Sequence, residues 1–329
     1  MNLKENTEYD VRLEKKRKNK WITAKKGDFV TWNSCPPIKR EWKLSELKEY
    51  KAGSGVVLKG MKGRADGWIK IIGDVPIEVS STYRQALEVD DCRYLILENF
   101  VVKGGKIDAV AIRENCENVR IVGADISAWG RVAVDQVHLE DSINYPAVKY
   151  KRDNACFIDE EGVVIRNDAG IYLGTVGKVP GPKDIVVERC YIHDPNGHSN
   201  AWHGTREIGR AKGIPYRFWH PQGPQGIYMR SRGGLVIRYN DVVGMDHHRL
   251  HDLLGGFNNG KIDGGMNTDA DVYGNYLAFS QDDGLEMDGG QCNIRLYNNR
   301  IEQVRVGIST APNMKGPSYL IRNVIFNLG

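Results

Sequence analysis

From Ile96 onward the chain repeats one pattern: apolar and polar residues alternate, a small or amide residue interrupts, and alternation resumes. Three late copies follow one another evenly: DVYGNYL (Asp271–Leu277), RLYNNRI (Arg295–Ile301) and YLIRNVI (Tyr319–Ile325). Their asparagines Asn275, Asn299 and Asn323 are spaced 24 and 24 residues apart. Earlier copies are ILENFV (Ile96–Val101), IVGADI (Ile121–Ile126), VERCYI (Val187–Ile192) and VIRYNDV (Val236–Val242), with gaps of 25, 66, 50 and 35 residues that mark insertions. Period-two alternation is the mark of a strand with one buried face, so each copy reads as strand, bend, strand. A second string recurs 14 to 20 residues upstream of each bend: AVAIR (Ala109–Arg113), GIYLG (Gly170–Gly174), GIYMR (Gly226–Arg230), GLEMD (Gly284–Asp288) and GISTA (Gly307–Ala311). Its second and fourth residues are mostly apolar, which describes a third strand with one face free.

Three short strands per period with no helix between them exclude a βαβ sheet and a propeller blade. Coils of this kind stack at about 4.8 Å, so the pattern predicts an all-β, right-handed parallel β-helix. A sandwich would need hairpin turns every ~8–12 residues, and Asn-Gly or Asp-Gly turns between strands are scarce. The bend asparagines suit the fold, because an amide tolerates a left-handed backbone and bonds to the coil above. Residues 1–84 read as an N-terminal cap and first coils, and 85–329 as the β-helix, with loop insertions at about 130–184, 196–223 and 245–268. WKLSELKEYKAG (Trp42–Gly53) predicts a short helix capping the first coil. The chain stops just after a bend with no capping helix, which suggests either a truncated chain or a homo-oligomer covering the last coil.

Composition narrows the classes. No apolar run reaches the ~18 residues of a membrane helix, and the first residues, MNLKENTEYD, have no signal-peptide form. This leaves either a cytoplasmic protein or an exported one whose signal was removed. The six cysteines form no CxxC pair and read as buried thiols. Residues 1–70 hold 18 Lys and Arg against 9 Asp and Glu, whereas the remainder holds 28 against 33. The run Lys15-Lys16-Arg17-Lys18 could meet an anion, but no nucleic-acid motif accompanies it.

The chemistry concentrates in QDDGLEMDGG (Gln281–Gly290). With Leu285 and Met287 inward, Glu286 and Asp288 face one groove about 6.6 Å apart, with Asp282 and Asp283 at its edge. The free face of the recurring strand otherwise carries Ala111, Tyr172, Tyr228 and Ser309, with Arg113 and Arg230 beside them. Two carboxyls flanking one bond are what glycoside hydrolysis needs, and crowding raises one pKa to supply the acid. Glu286 and Asp283 are the expected catalytic pair, with Asp282 beside them. The alternative is a Ca²⁺ site of Asp282, Asp283 and Glu286, since hard oxygen ligands suit that ion; otherwise no cofactor is expected. MDHHRLHD (Met245–Asp252) adds His248, Arg249 and His251, and the insertion Asn196–Gly223 adds Trp219, as sugar-binding residues with Asp288, Tyr228 and Arg230.

Over residues 85–329 the chain resembles pectin-lyase-like right-handed β-helix proteins of the carbohydrate-active kind. The strings NTD (Asn267–Asp269) and QDD (Gln281–Asp283) are similar to the acidic motifs of polygalacturonase-type hydrolases, while the GHG and RIK motifs are absent. The resemblance implies an enzyme acting on a complex carbohydrate without nucleic-acid or membrane partners. A glycoside hydrolase is the first expectation, a polysaccharide lyase the second, and a non-catalytic carbohydrate-binding β-helix the third.

Overall fold

The computed structural model describes residues 4–31, 33–132, 135–136, 157–158, 161, 165, 167–174, 181–199, 223–256 and 261–329. Three parallel sheets run along one axis, and successive coils contribute one strand to each. Sheet 1 contains Val56–Lys59, Gln85–Asp90, Asp108–Ile112, Ala169–Leu173, Gln225–Met229, Leu254–Gly256, Asp283–Glu286 and Val306–Ser309. Sheet 2 runs from Ile38–Lys43 to Ser318–Ile321 and sheet 3 from Ile77–Glu78 to Val324–Phe326. This is the right-handed parallel β-helix that the repeat predicts.

Inward positions stack like on like. Val110, Ile171, Ile227, Leu254, Leu285 and Ile308 succeed one another coil by coil in sheet 1, and the first five are buried. Truncating one such side chain to Ala costs about 2–5 kcal/mol, because the neighbouring coils cannot close the gap.

The bend asparagines form a ladder. Asn240, Asn275 and Asn299 each donate Nδ2 to the Oδ1 of the next, ending on Asn323, every step 2.9 Å. The same Oδ1 atoms accept the backbone N–H of Asn240, Asn275 and Asn299. The left-handed backbone, however, belongs to the preceding residue: Tyr239, Gly274, Asn298 and Arg322 have φ of 56°, 66°, 55° and 54°. That turn aims each asparagine inward, where its amide is sheltered from water.

The predicted capping helix is absent. Ile38–Lys43 is already a sheet 2 strand, and the only helical turn among the described residues is the single 3₁₀ turn Leu44–Glu46. Leu44 is nevertheless buried and Leu47 packs on the core. The apolar spacing that suggested a helix is thus satisfied by a strand turning over the coil end.

Before the first coil, Glu8–Arg17 and Lys20–Val30 pair as an antiparallel hairpin separate from the three sheets. At its base, Thr7 N–H donates to Thr31 Oγ1 at 2.8 Å, and Arg120 donates to the Ser34 carbonyl at 3.0 Å while lying over the Trp68 ring. At the other end, Leu320 and Ile325 continue the core columns of Leu296 and Ile301, but they are exposed.

Candidate active site

Strand register decides which polar residues share a face. Sheet 1 pairing puts Glu88, Ala111, Tyr172, Tyr228 and Gly255 in one column, which Glu286 and Ser309 continue. Leu285 and Met287 lie in the core, as the alternation requires, and Glu286 does not. The alternation alone sets Glu286 directly above Tyr228, but the strand Leu254–Gly256 adds a coil between them. The two glycines and short length of that strand erase its alternation.

Three residues before each of these central positions lies a second column. It reads Gln85, Asp108, Ala169, Gln225, and then, by the same register, Asp252 and Asp283. Gln225 Nε2 lies 3.0 Å from Asp252 Oδ2 and 2.8 Å from His251 Nδ1. Asp252 Oδ1 accepts the Asp283 N–H at 2.9 Å, and His251 Nε2 stands 3.5 Å from Asp282 Oδ2. Glu286 Oε2 accepts the Gly256 N–H at 2.8 Å. Asp288 Oδ1 accepts the Ser309 hydroxyl at 2.8 Å and the Ala311 N–H at 2.5 Å.

All five carboxylates and His251 are buried, and crowding sets their protonation. Burial, reinforced by Asp252 and Asp288, pushes Glu286 up to about 9, against the opposing pull of the Gly256 N–H. Burial with Asp252, Asp282 and Glu286 pushes Asp283 up to about 10. Burial works to lower His251, but Asp252 and Asp282 outweigh it and raise the imidazole to about 9. Asp252 and Asp288 are raised as well, mainly by burial. Burial and crowding thus push Glu286 and Asp283 toward their neutral forms, while the flanking carboxylates favour a protonated His251.

Tyr228, buried and raised well above a normal phenol, stacks on Tyr172 at 6.0 Å along the same face. Arg230 sits in the next column over, with Asp263 3.6 Å from its guanidinium. Glu286, Asp283, Asp282, Asp288, His251, Tyr228 and Arg230 thus share the outer side of sheet 1. His248 and Arg249 are not brought to it: His248 stacks on His198, and Arg249 donates to the Gln303 carbonyl at 2.9 Å while lying over Phe279. The physical reason is the tight turn of Met245 with His248, which points these side chains toward sheet 3 before the chain enters sheet 1. Trp219 lies outside the described residues.

Sequence reasoning missed Asp252 and Gln225. A polar residue two positions before the first inward aliphatic recurs in Gln85, Asp108, Gln225, Asp252 and Asp283, and it could have revealed both. The donor atoms of His251, Asp252 and Asp282 lie within 4.8 Å of one another, so a metal-ligating group among the described residues differs from the expected Asp282, Asp283 and Glu286 set. Asp269, from the NTD string, lies on the sheet 2 strand Thr268–Tyr273 and accepts from Asn293, so it does not share a face with Asp282 and Asp283. Comparison of the chain with known protein families and with curated proteins finds no match.

Proposed function

We propose that the protein cleaves glycosidic bonds of a complex carbohydrate, as a carboxylate-dependent glycoside hydrolase of the pectin-lyase-like kind, on the outer face of sheet 1. The observation that carries this reading is the buried recess in which Glu286 and Asp283, both raised by burial, stand with His251 and Asp282, whose Nε2 and Oδ2 are 3.5 Å apart. Glycoside hydrolysis needs a protonated carboxyl to release the leaving oxygen and an ionised one to activate water or attack the sugar. Glu286 supplies the proton. Asp282, with the His251 imidazole 3.5 Å away, supplies the second carboxyl, and Asp283 stands beside both. Asp288, fixed by Ser309 and Ala311, and Tyr228 with Arg230 line the same face and hold the sugar.

Glu286, Asp283 and Tyr228 rise from sheet 1 strands paired with neighbouring coils, which gives the site the rigidity that catalysis requires of its first contacts. Incubation with a panel of polysaccharides, followed by product analysis, tests the reading. New reducing ends without ultraviolet absorption are expected. Unsaturated products would mean elimination instead, and no product from any member of the panel would overturn the enzymatic reading.

A further inference from the structure

Among the described residues the N-terminal hairpin is the one long antiparallel ribbon. Its strands are ten and eleven residues long, so it extends roughly 30 Å at about 3.4 Å per residue. Neither strand joins a solenoid sheet. A two-stranded ribbon of this kind is marginal in water without a surface to pack on. Its base is nevertheless well held, by the Thr7–Thr31 bond and by Arg120 gripping the Ser34 carbonyl.

The charge is concentrated on this ribbon. Between residues 12 and 26 stand Arg12, Lys15, Lys16, Arg17, Lys18, Lys20, Lys25 and Lys26 against the single acid Glu14, eight minus one, or +7 in fifteen residues. The whole chain carries only +4. Among these cations are large apolar side chains left in water, with Leu13 63% and Trp21 65% exposed. Lysines on a free strand edge discourage aggregation, but that role gives no reason for an exposed Trp and Leu beside them.

Register distributes the charge around the ribbon. Lys15 faces Ile22, and Arg17 faces Lys20, while the next residue along, Lys16, faces Trp21 on the opposite side. Both faces of the tip are therefore cationic. A flat anionic surface would meet one face only, whereas a flexible polyanion can follow both. Six of the eight cations are Lys, compact hydrated point charges that hold a polyanion by charge rather than by the bidentate fork with which Arg grips a single carboxylate or phosphate.

We propose that this hairpin is a docking arm for an anionic polysaccharide, which it holds beside the solenoid. The inference rests on the carbohydrate reading for the identity of the polymer. Cationic side chains release counterions from the polyanion, and Trp21 and Leu13 cover the apolar faces of sugar rings.

The test uses the full chain and a variant with Lys15→Ser, Lys16→Ser, Arg17→Ser and Lys18→Ser. Binding is measured to carboxymethylcellulose, to hydroxyethylcellulose as the neutral counterpart, and to single-stranded DNA. The parent chain should bind carboxymethylcellulose at least ten-fold more tightly than the other two polymers, with affinity falling steeply as salt rises. The variant should lose at least ten-fold, with an unchanged thermal melt, because the arm lies apart from the core. Equal binding by parent and variant overturns the arm, as does preference for DNA or salt-independent binding. Bond cleavage is scored separately on the parent chain: a parent that binds through the arm but cleaves nothing sinks the hydrolase reading and leaves the docking arm standing, whereas Glu286→Gln should bind like the parent.

Discussion

Two corners of sheet 1 are built on the same plan and end in opposite electrostatic states. In the early coils Gln85 donates to Asp108 Oδ2 at 3.2 Å, and Asp108 Oδ1 accepts the N–H of Ala169 in the next coil, also at 3.2 Å. In the late coils Gln225 and Asp252 repeat this arrangement with the N–H of Asp283. The two corners differ in the coil that comes next. The early corner continues with Ala169 and closes its other acid, Asp168, with Arg131, which donates its backbone N–H at 2.9 Å, Nε at 3.0 Å and Nη2 at 2.6 Å. The late corner puts Asp283 where Ala169 stood and adds Asp282, Glu286 and Asp288, with His251 as the close cation. One coil has a charge-balanced, structural corner; the other accumulates carboxyls beyond what packing needs. Unbalanced buried charge is a mark of functional sites, because structure alone gives no reason to retain it.

Glu286→Gln probes that contrast most strongly. It keeps the shape of the recess and removes the transferable proton, so turnover should fall by about 10²–10⁴-fold with folding intact. Normal turnover in this variant, measured on whichever polysaccharide the parent cleaves, would move the chemistry elsewhere. At the early corner the expected effect is on stability alone. Arg131→Met leaves Asp168 buried without its main counter-charge and should cost about 3–5 kcal/mol in chemical denaturation. A loss under about 1 kcal/mol would show that the early corner is not held by this pair.

The bends sharpen the comparison further. Asparagine occupies the ladder only in the later coils, while Phe100, Ala124 and Cys190 fill the equivalent positions earlier. Asn299→Leu should therefore destabilise by about 1–3 kcal/mol, since it breaks bonds to both Asn275 and Asn323 in a closed turn. An unchanged melt would disprove the ladder's contribution.

A further expected effect is in the pH dependence of stability. Asp108 is raised to about 7, first by burial, and Glu286 and Asp283 to about 9 and about 10. An acid whose folded pKa is raised keeps its proton while the unfolded chain loses it, so stability falls as pH climbs from the unfolded value toward the folded one. His251, raised to about 9, acts in the same direction: its contribution is whole below its unfolded value near 6.5 and is lost as pH passes 9. The melting temperature should thus decline from pH 5 to pH 9. Asp108→Asn should flatten the part below pH 7, and Asp283→Asn should also flatten the part above it. Identical profiles for the two variants would mean that the corners titrate alike.

The sequence carried most of the fold. Period-two alternation, the 24-residue spacing of Asn275, Asn299 and Asn323, and the recurring GIY-type string determined coil, bend and inward face, because stacking in a solenoid is local and repeats with the chain. Glu286 outside the core between Leu285 and Met287 was legible for the same reason. The capping helix was not, since Leu44 and Leu47 satisfy a strand and turn as well as a helix, and only packing over the first coil chose between them. Asp252 and Gln225 were legible only through the polar residue that recurs two positions before an inward aliphatic, and the coil of Asp252 was hidden because Leu254–Gly256 shows no alternation and its place in the register comes from pairing with the coils on either side. The sequence by itself determined which residues can face outward. Tertiary structure decided which of them meet: it drew His251 and Asp252 into the acidic recess and turned His248 and Arg249 away from it. Periodicity encodes the direction a side chain points, whereas proximity across coils depends on insertion lengths and turns that no local pattern records.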